Sequence, residues 1–376
     1  MKVIRDKWYV VLDVCEVPHK KPVGFTRFGQ KMVFWRDQEG RVSCQADRCC
    51  HRGAQLSLGA IVGNCIECPF HGWRFDQRGQ CTLVPSNGKN ARIPKKFKIE
   101  HHHVREAYGW IWMYWGDVED AESLPEIPFF EELKDKRFRT TSYQEEWPVH
   151  YTRSIENQLD VTHLAFTHRK TIGDINKPVV DGPLFQWTDE DTIRFYPVMN
   201  EDRGQVAKKA NELKEEDLGG FLEFRFPNQW KLKITDKFYN FAAFVPVDET
   251  TTITYVRVYQ RFVSWPLLGD ALTWLMGKFN QRVLGEDRPM VISQDPIFSE
   301  LHMDEMLVPG DVPIMEFRKR QYEILNAQAE KRPVKAIAGK SNGSAQLAEE
   351  STRREPMDMN EDAAGQGGVE PAENTL

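Results

Sequence analysis

Two short stretches constrain this chain more than its length or composition: Cys49-Cys50-His51-Arg52-Gly53 and Cys68-Pro69-Phe70-His71-Gly72-Trp73, with 16 residues, Arg52 to Glu67, between His51 and Cys68. Each offers one thiolate and one imidazole, as Cys49-x-His51 and Cys68-x-x-His71. A fold that brings both loops together presents two sets of one Cys and one His. That set suits a two-iron cluster, in which thiolates hold one iron and imidazoles the other. The residues leave a second reading open. Cys65-x-x-Cys68 with Cys49 or Cys50 and a histidine is also a donor set for a tetrahedral zinc knot. A Cys₂His₂ knot would leave three of the five cysteines between positions 44 and 68 unexplained. Cys50 sits between two candidate ligands, but only Cys49 has the x-His spacing.

The 376 residues predict two domains plus whatever is not folded. Apolar residues make up 40%, with 22 Phe and 11 Trp, enough for buried cores. A net charge of -6 argues against nucleic acid as the main partner. No apolar run approaches the ~20 residues needed to span a bilayer, and the start MKVIRDKWYVVLD has no signal-peptide-like apolar core, so the expected location is cytoplasmic. Seven cysteines, clustered and odd in number, point to metal ligation in a reducing compartment and not to a disulfide framework.

Residues 1 to about 116 read as a small all-β domain. Trp8-Tyr9-Val10-Val11-Leu12, Lys31-Met32-Val33-Phe34-Trp35 and the closing Tyr108 to Gly116 are strand text broken by turn residues. His101-His102-His103 would alternate faces on a strand and cannot easily converge on one metal. Together with Lys95-Lys96-Phe97-Lys98 they form a solvated edge, or a basic rim that steers an acidic electron donor. Residues 117–146 are acidic and Pro-containing and read as a connector. From 147 to 334 a second domain is expected. Val149 to Thr171 reads as one helix, followed by strands at Thr192–Tyr196, Phe221–Phe226, Trp230–Ile234, Tyr239–Val245 and Thr251–Arg261. These describe an antiparallel sheet with helices on one face. Asp248-Glu249-Thr250 is its last hairpin turn. The charged stretch Asp202 to Asp217 is solvated surface or, as the sharper reading, a lid. Leu267–Leu284 and Ile314–Arg332 are helices that pack on the sheet. Residues 335–376 are poor in aromatics and expected to be disordered.

The second domain carries Asn157-x-x-Asp160-x-x-His163-x-x-x-x-His168. On one continuous helix Asn157, Asp160 and His163 share a face, but His163 and His168 lie about 140° apart and converge only if the helix bends or ends. Two histidines and a distant carboxylate make the facial triad of a mononuclear iron(II) oxygenase. The combination of Cys49-x-His51-Arg52-Gly53-Ala54, Cys68-Pro69-Phe70-His71-Gly72-Trp73 and this second motif, in this order, resembles the Rieske non-haem iron oxygenases, in particular the oxygenase (alpha) subunit of the homo-oligomeric hydroxylase and demethylase type.

That resemblance implies an α+β chain: an all-β Rieske [2Fe-2S] domain held together by Cys49, His51, Cys68 and His71, then a helix-grip-like catalytic domain. It implies iron(II) on His163 and His168, with the third ligand mapping onto Asp287 in Glu286-Asp287-Arg288-Pro289-Met290-Val291-Ile292-Ser293-Gln294-Asp295. Glu286 and Asp295 remain rivals for that place, and a carboxylate there can also cap a following helix. By the same resemblance Asp160 links His163 to a cluster-binding histidine of a neighbouring subunit, Asn157 lies near the iron, and the assembly is a homotrimer whose head-to-tail contacts close. Arg52 and Trp73 tune and shield the cluster. No Gly-rich nucleotide fingerprint follows a predicted strand, so electrons come from a separate NAD(P)H-dependent reductase, directly or through a ferredoxin. The implied reaction is hydroxylation or oxidative demethylation of a small organic substrate with O2. Two alternatives stand beside it: a Rieske electron-transfer protein without oxygenase activity, and a ring cis-dihydroxylating dioxygenase.

Overall fold

The computed structural model describes residues 1–331, apart from Ser264; the tail expected to be disordered, from 335, lies outside the described residues. The first half of the chain forms ten strands: β1 (Lys7–Asp13), β2 (Val23–Arg27), β3 (Gln30–Arg36), β4 (Val42–Ala46), β5 (Ala60–Val62), β6 (Cys65–Glu67), β7 (Arg74–Phe75), β8 (Cys81–Leu83), β9 (His101–Ala107) and β10 (Trp110–Trp115). They make a six-stranded sheet ordered β1-β10-β9-β4-β3-β2 and a small four-stranded sheet β5-β6-β7-β8. The three consecutive histidines lie on β9, where His102 is opposite Cys44 and His101 opposite Gln45.

The second half contains β11 (Arg139–Trp147), α1 (Tyr151–Leu159), α2 (Leu164–Thr167), β12 (Val179–Asp189), β13 (Thr192–Asn200), β14 (Phe221–Arg225), β15 (Gln229–Thr235), β16 (Phe238–Pro246), β17 (Thr252–Gln260), α3 (Pro266–Ile292) and α4 (Val312–Lys331). Its seven-stranded antiparallel sheet runs β11-β17-β16-β15-β14-β13-β12. Two of these strands were not expected. β11 occupies the end of the segment read as a connector, and β12 was not read as a strand at all. The polar alternation of β11, Arg139-Thr140-Thr141-Ser142-Tyr143-Gln144, hides it; only its pairing with β17 along nine residues makes it a strand.

The seven-stranded sheet buries both faces, and the period-2 alternation sorts its side chains between two cores. One face carries Tyr239, Phe241, Tyr255 and Tyr259, packed with Trp8, Trp110 and Trp112 of the six-stranded sheet. The polar members of this seam are tied as well. The Arg257 guanidinium lies 3.7 Å from the centre of the Trp110 ring and donates to Asp13 at 2.8 Å. The other face carries Ile193, Phe195, Phe224, Phe244 and Val256, packed with Ile155 of α1, Leu284 and Val291 of α3 and Phe317 of α4. Met1–Gln328 thereby forms one compact body.

α3 is longer than expected and continues through Asp287 to Ile292, so the Glu286–Ile292 run is helix and does not precede one. Its inward line is Thr273, Gly277, Leu284, Asp287 and Val291, all buried, the 3–4 spacing of a helix stripe. Gly277 is required there: a Cβ would stand 2.5 Å from Thr141 Cγ2 of β11. The opposite side of α3 is apolar but exposed, with Leu267 at 88% and Trp274 at 56%. Among the described residues no helix is long and apolar enough to cross a membrane. The 202–217 stretch forms two single turns whose hydrogen bonds are internal or run to β12 and β13, such as Lys208 N–H to Asp181 at 2.7 Å. It lies as solvated surface along that edge.

Candidate metal centres

The first centre is built by two loops of nearly the same backbone. In one, Cys49 N–H donates to Ala54 O at 2.8 Å and Gly53 N–H to Cys49 O at 2.9 Å; in the other, Cys68 N–H donates to Trp73 O at 2.8 Å and Gly72 N–H to Cys68 O at 3.0 Å. Each closes on a glycine with positive φ, +77° at Gly53 and +68° at Gly72, a conformation a side chain would strain. Cys49 and Cys68 are buried, whereas His51 and His71 are exposed. The two imidazoles stand with ring centres 4.6 Å apart. Beneath them Trp73 stacks on His51 at 4.6 Å and 3°, and Phe97 stacks on Trp73 at 5.1 Å. Burial, added to by the neighbouring Cys68, pushes the Cys49 thiol up to about 12. Such a thiol stays protonated near neutral pH unless a metal ion displaces the proton.

The donor set fits a dinuclear cluster better than zinc. A tetrahedral ion needs its ligand atoms within about 3.8 Å of one another, given metal–ligand bonds of about 2.0–2.3 Å. Among the described residues no three Cys or His donors of these loops come within 4.8 Å of one another. Thiolates on the inside and imidazoles on the outside are what two separate irons ask for.

The second centre explains how two histidines five apart meet. The expected single helix stops at Leu159, because its next turn is dismantled. Trp230 Nε1 takes the Gln158 carbonyl at 3.0 Å, and Asp160 Oδ1 accepts from the N–H of Thr162 at 2.6 Å and of His163 at 3.3 Å. Side-chain capture of backbone donors competes with helix continuation. The chain then makes one turn, α2, between His163 and His168. Their Nε2 atoms come within 3.2 Å. Asp287 Oδ1 of α3 lies 3.4 Å from His163 Nε2 and 3.0 Å from His168 Nε2. Ligand atoms on adjacent sites of one metal ion stand about 3 Å apart when each bond is about 2.1 Å.

Carboxylates hold the far side of both rings. Glu286 Oε2 is 3.1 Å from His168 Nδ1 and accepts from Thr171 Oγ1 at 2.6 Å; Asp160 Oδ2 is 3.4 Å from His163 Nδ1. Glu286 thereby turns the His168 Nε2 lone pair inward, whereas His163 Nδ1 is buried without a hydrogen-bond partner and has Asp160 as its nearby carboxylate. Asp287 Oδ1 is buried and accepts no hydrogen bond, a cost that a cation removes. Burial alone would lower the His163 pKa, but Asp160 and Asp287 outweigh it and lift it to about 9. The pocket therefore asks for positive charge.

Of the three acids weighed for the third position, Asp287 is the one that converges with His163 and His168. Glu286 stands behind His168, and Asp295 precedes the cis proline Pro296, outside the group. Asn157 is on α1 with its Nδ2 buried and unpaired. Asp160 meets His163 as expected, but as the residue that ends α1 and not as part of a shared helix face. Two residues escaped the sequence reading. Glu286 was weighed only as a ligand, and Tyr143 lies on the unrecognised β11. Burial raises the Tyr143 pKa far above its usual range, with the charges of Glu145 and Asp287 adding to it.

An all-β unit presenting a Cys₂His₂ set, joined to a helix-backed antiparallel sheet enclosing two His and one Asp, defines an iron–sulfur protein with a second metal centre. The Rieske [2Fe-2S] domain family matches residues 7–99, and the vanillate O-demethylase oxygenase C-terminal domain matches residues 147–327. Methylxanthine N1-demethylase NdmA of Pseudomonas putida is 30% identical over 342 residues, covering 87% of this chain and 91% of that protein. The 4beta-methylsterol monooxygenase of Methylococcus capsulatus is 28% identical, with 84% and 87% covered. The chain spans 57% of the length of the pea protein TIC 55, to which it is 26% identical. The structure of NdmA with caffeine superposes with a TM-score of 0.70 at 28% identity, over 87% of this chain and 92% of that one. The chain belongs to the Rieske non-haem iron oxygenases, oxidoreductases whose cofactors are a Rieske [2Fe-2S] cluster and a mononuclear iron.

Proposed function

We propose that this chain is the oxygenase component of a multi-protein system that hydroxylates or oxidatively demethylates a small organic substrate with O2, drawing electrons from a separate NAD(P)H-dependent reductase. The observation that carries this reading is the buried convergence of His163 Nε2, His168 Nε2 and Asp287 Oδ1 in the same chain as the Cys49/His51/Cys68/His71 loops. In this reading Cys49, His51, Cys68 and His71 hold the cluster, and His163, His168 and Asp287 hold iron(II). Bound there, the iron supplies O2 activation beside the substrate.

The chain's own residues supply the rest. Glu286 fixes the His168 imidazole, and Asp160 stands behind that of His163. On the helix-facing side of the sheet, Asn240 and Asn280, bonded at 2.7 Å, and Thr254 Oγ1, buried without a hydrogen-bond partner, are polar atoms among packed apolar side chains. Asp160 is partly exposed, its side chain at 26%, and so is open to a histidine of a neighbouring copy. That supports a closed ring of identical chains, in which a trimer is the expected form. Monooxygenation is preferred to cis-dihydroxylation because several relatives are demethylases or monooxygenases by name. A soluble cytoplasmic enzyme is consistent with the absence of a membrane-spanning helix among the described residues.

The test is a screen of methylated and aromatic small molecules with the purified chain, an added reductase and 18O2. The expected result is a hydroxylated product carrying one labelled oxygen, or a demethylated product with one formaldehyde released per methyl group removed. Cluster reduction without oxygenation of any substrate would favour the electron-transfer reading.

A further inference from the structure

We propose that the cationic segment Arg78–Lys98 is the docking surface for an acidic iron–sulfur electron-donor protein. The inference rests on the oxygenase reading and names the partner that delivers its electrons. Between Gln77 and Ile99 the chain has six cations, Arg78, Lys89, Arg92, Lys95, Lys96 and Lys98, and no carboxylate, although the whole chain carries -6. All six are exposed. None pairs with a carboxylate among the described residues.

The segment is fastened to the cluster loops at both ends. At one, a Cβ on Gly72 would stand 3.1 Å from Pro85 Cγ, so Pro85 lies directly on the second loop. At the other, Phe97 stacks on Trp73, which stacks on His51. Cys81 N–H donates to Phe97 O and Ile99 N–H to Gly79 O, each at 2.9 Å, fixing that end to the β7–β8 hairpin. The segment that carries the cations therefore lies against the loops of the exposed His51 and His71. Arg52, whose guanidinium is 5.7 Å from the centre of the exposed Phe70 ring, extends the positive rim onto the first loop.

A small apolar tip beside a segment of unpaired cations suits a brief encounter, in which opposite charge raises the association rate and little area is buried. It does not suit a permanent contact between copies, because lysine is depleted from stable interfaces. Each encounter moves one electron: the donor's reduced iron–sulfur group is oxidised by one, the acceptor group held by the two loops is reduced by one, and no bond is made or broken. Two encounters supply the two electrons that monooxygenation with O2 requires beyond the substrate's own.

The experiment compares the full-length holoprotein with its Lys95→Glu/Lys96→Glu/Lys98→Glu variant, using a strongly acidic plant-type [2Fe-2S] ferredoxin as probe. Lys208→Glu/Lys209→Glu/Lys214→Glu, on the β12–β13 edge, controls for net charge. Binding of the oxidised ferredoxin is read by calorimetry at several salt concentrations, and reduction of the holoprotein by stopped-flow absorbance. Expected are wild-type binding that weakens steeply with salt, a loss of about tenfold or more in affinity and reduction rate in the 95/96/98 variant, and little change in the control. Reduction by dithionite should be equal in all three. Equal loss in both variants, no loss in either, or no salt-dependent binding by the wild type overturns the assignment. A change in assembly mass confined to the 95/96/98 variant also overturns it, giving the segment to a contact between copies. A preparation without a visible-absorbing cluster would instead remove the oxygenase reading itself.

Discussion

The two candidate metal centres are made in opposite ways. The cluster loops are local: four donors within 23 residues, shaped by backbone hydrogen bonds and positive-φ glycines, with the imidazoles facing solvent. The His163/His168/Asp287 group is long-range: a helix end and another helix, 124 residues apart in sequence at their most distant (163 to 287), meet inside the protein with carboxylates behind the rings. A local centre survives wherever its loops fold. A long-range centre depends on the register of α1 and α3 on the sheet.

The largest effect expected from this difference is a clean separation of losses. Cys68→Ser should abolish the cluster's visible absorbance and reductase-driven turnover while leaving mononuclear iron in place. Asp287→Ala should do the reverse, keeping the absorbance but losing mononuclear iron and at least about 10³-fold in turnover. Metal analysis and absorbance of the two variants check this, and joint loss of both centres in either variant would show that they are not independent. Next comes Asp160→Ala. It should keep both centres and lower turnover by about 10–100-fold, and full activity would remove its positioning role.

These outcomes bear on what was legible in the chain. Cys-x-His and Cys-x-x-His are close in sequence because backbone loops hold them, so the first centre could be read directly. The strands from Phe221 to Gln260 were also readable, because their alternating side chains sort between two cores. Asp287 could only be weighed against Glu286 and Asp295, since nothing local says which carboxylate a 27-residue helix turns inward. The break after Leu159 could be stated only as a condition for His163 and His168 to meet, not placed. Its position depends on Trp230, 71 residues beyond Leu159, donating to a helix carbonyl, as well as on the neighbouring Asp160. β11 was missed because pairing with β17, and not its own pattern, makes it a strand.

A smaller effect tests the anchoring of α1. Glu156 is buried and accepts from Arg318 at 2.6 and 2.9 Å and from Arg153 at 3.2 Å. Glu156→Gln leaves two buried guanidinium groups short of a countercharge, which should cost about 3 kcal/mol. Calorimetry should show a lower Tm, and mononuclear iron should be lost more readily than the cluster; unchanged Tm would remove the anchoring role.

The last effect concerns the six-stranded sheet. Burial, aided by the charge of Arg5, lowers the His102 pKa from 6.5 to about 4. Between those values the unfolded chain binds more protons than the folded one, so stability falls as pH drops from about 6.5 towards 4, by up to about 3 kcal/mol. His102→Gln should flatten that part of the denaturant-midpoint profile, and an unaltered slope would contradict it.

The most direct measurement is iron per chain, with Mössbauer spectroscopy of 57Fe-loaded protein to sort the kinds. About three irons per chain are expected, two in a cluster with one thiolate-held and one imidazole-held site and one mononuclear iron(II) lost in Asp287→Ala. Two irons per chain, all in the cluster and unchanged by Asp287→Ala, would contradict a second centre at His163, His168 and Asp287.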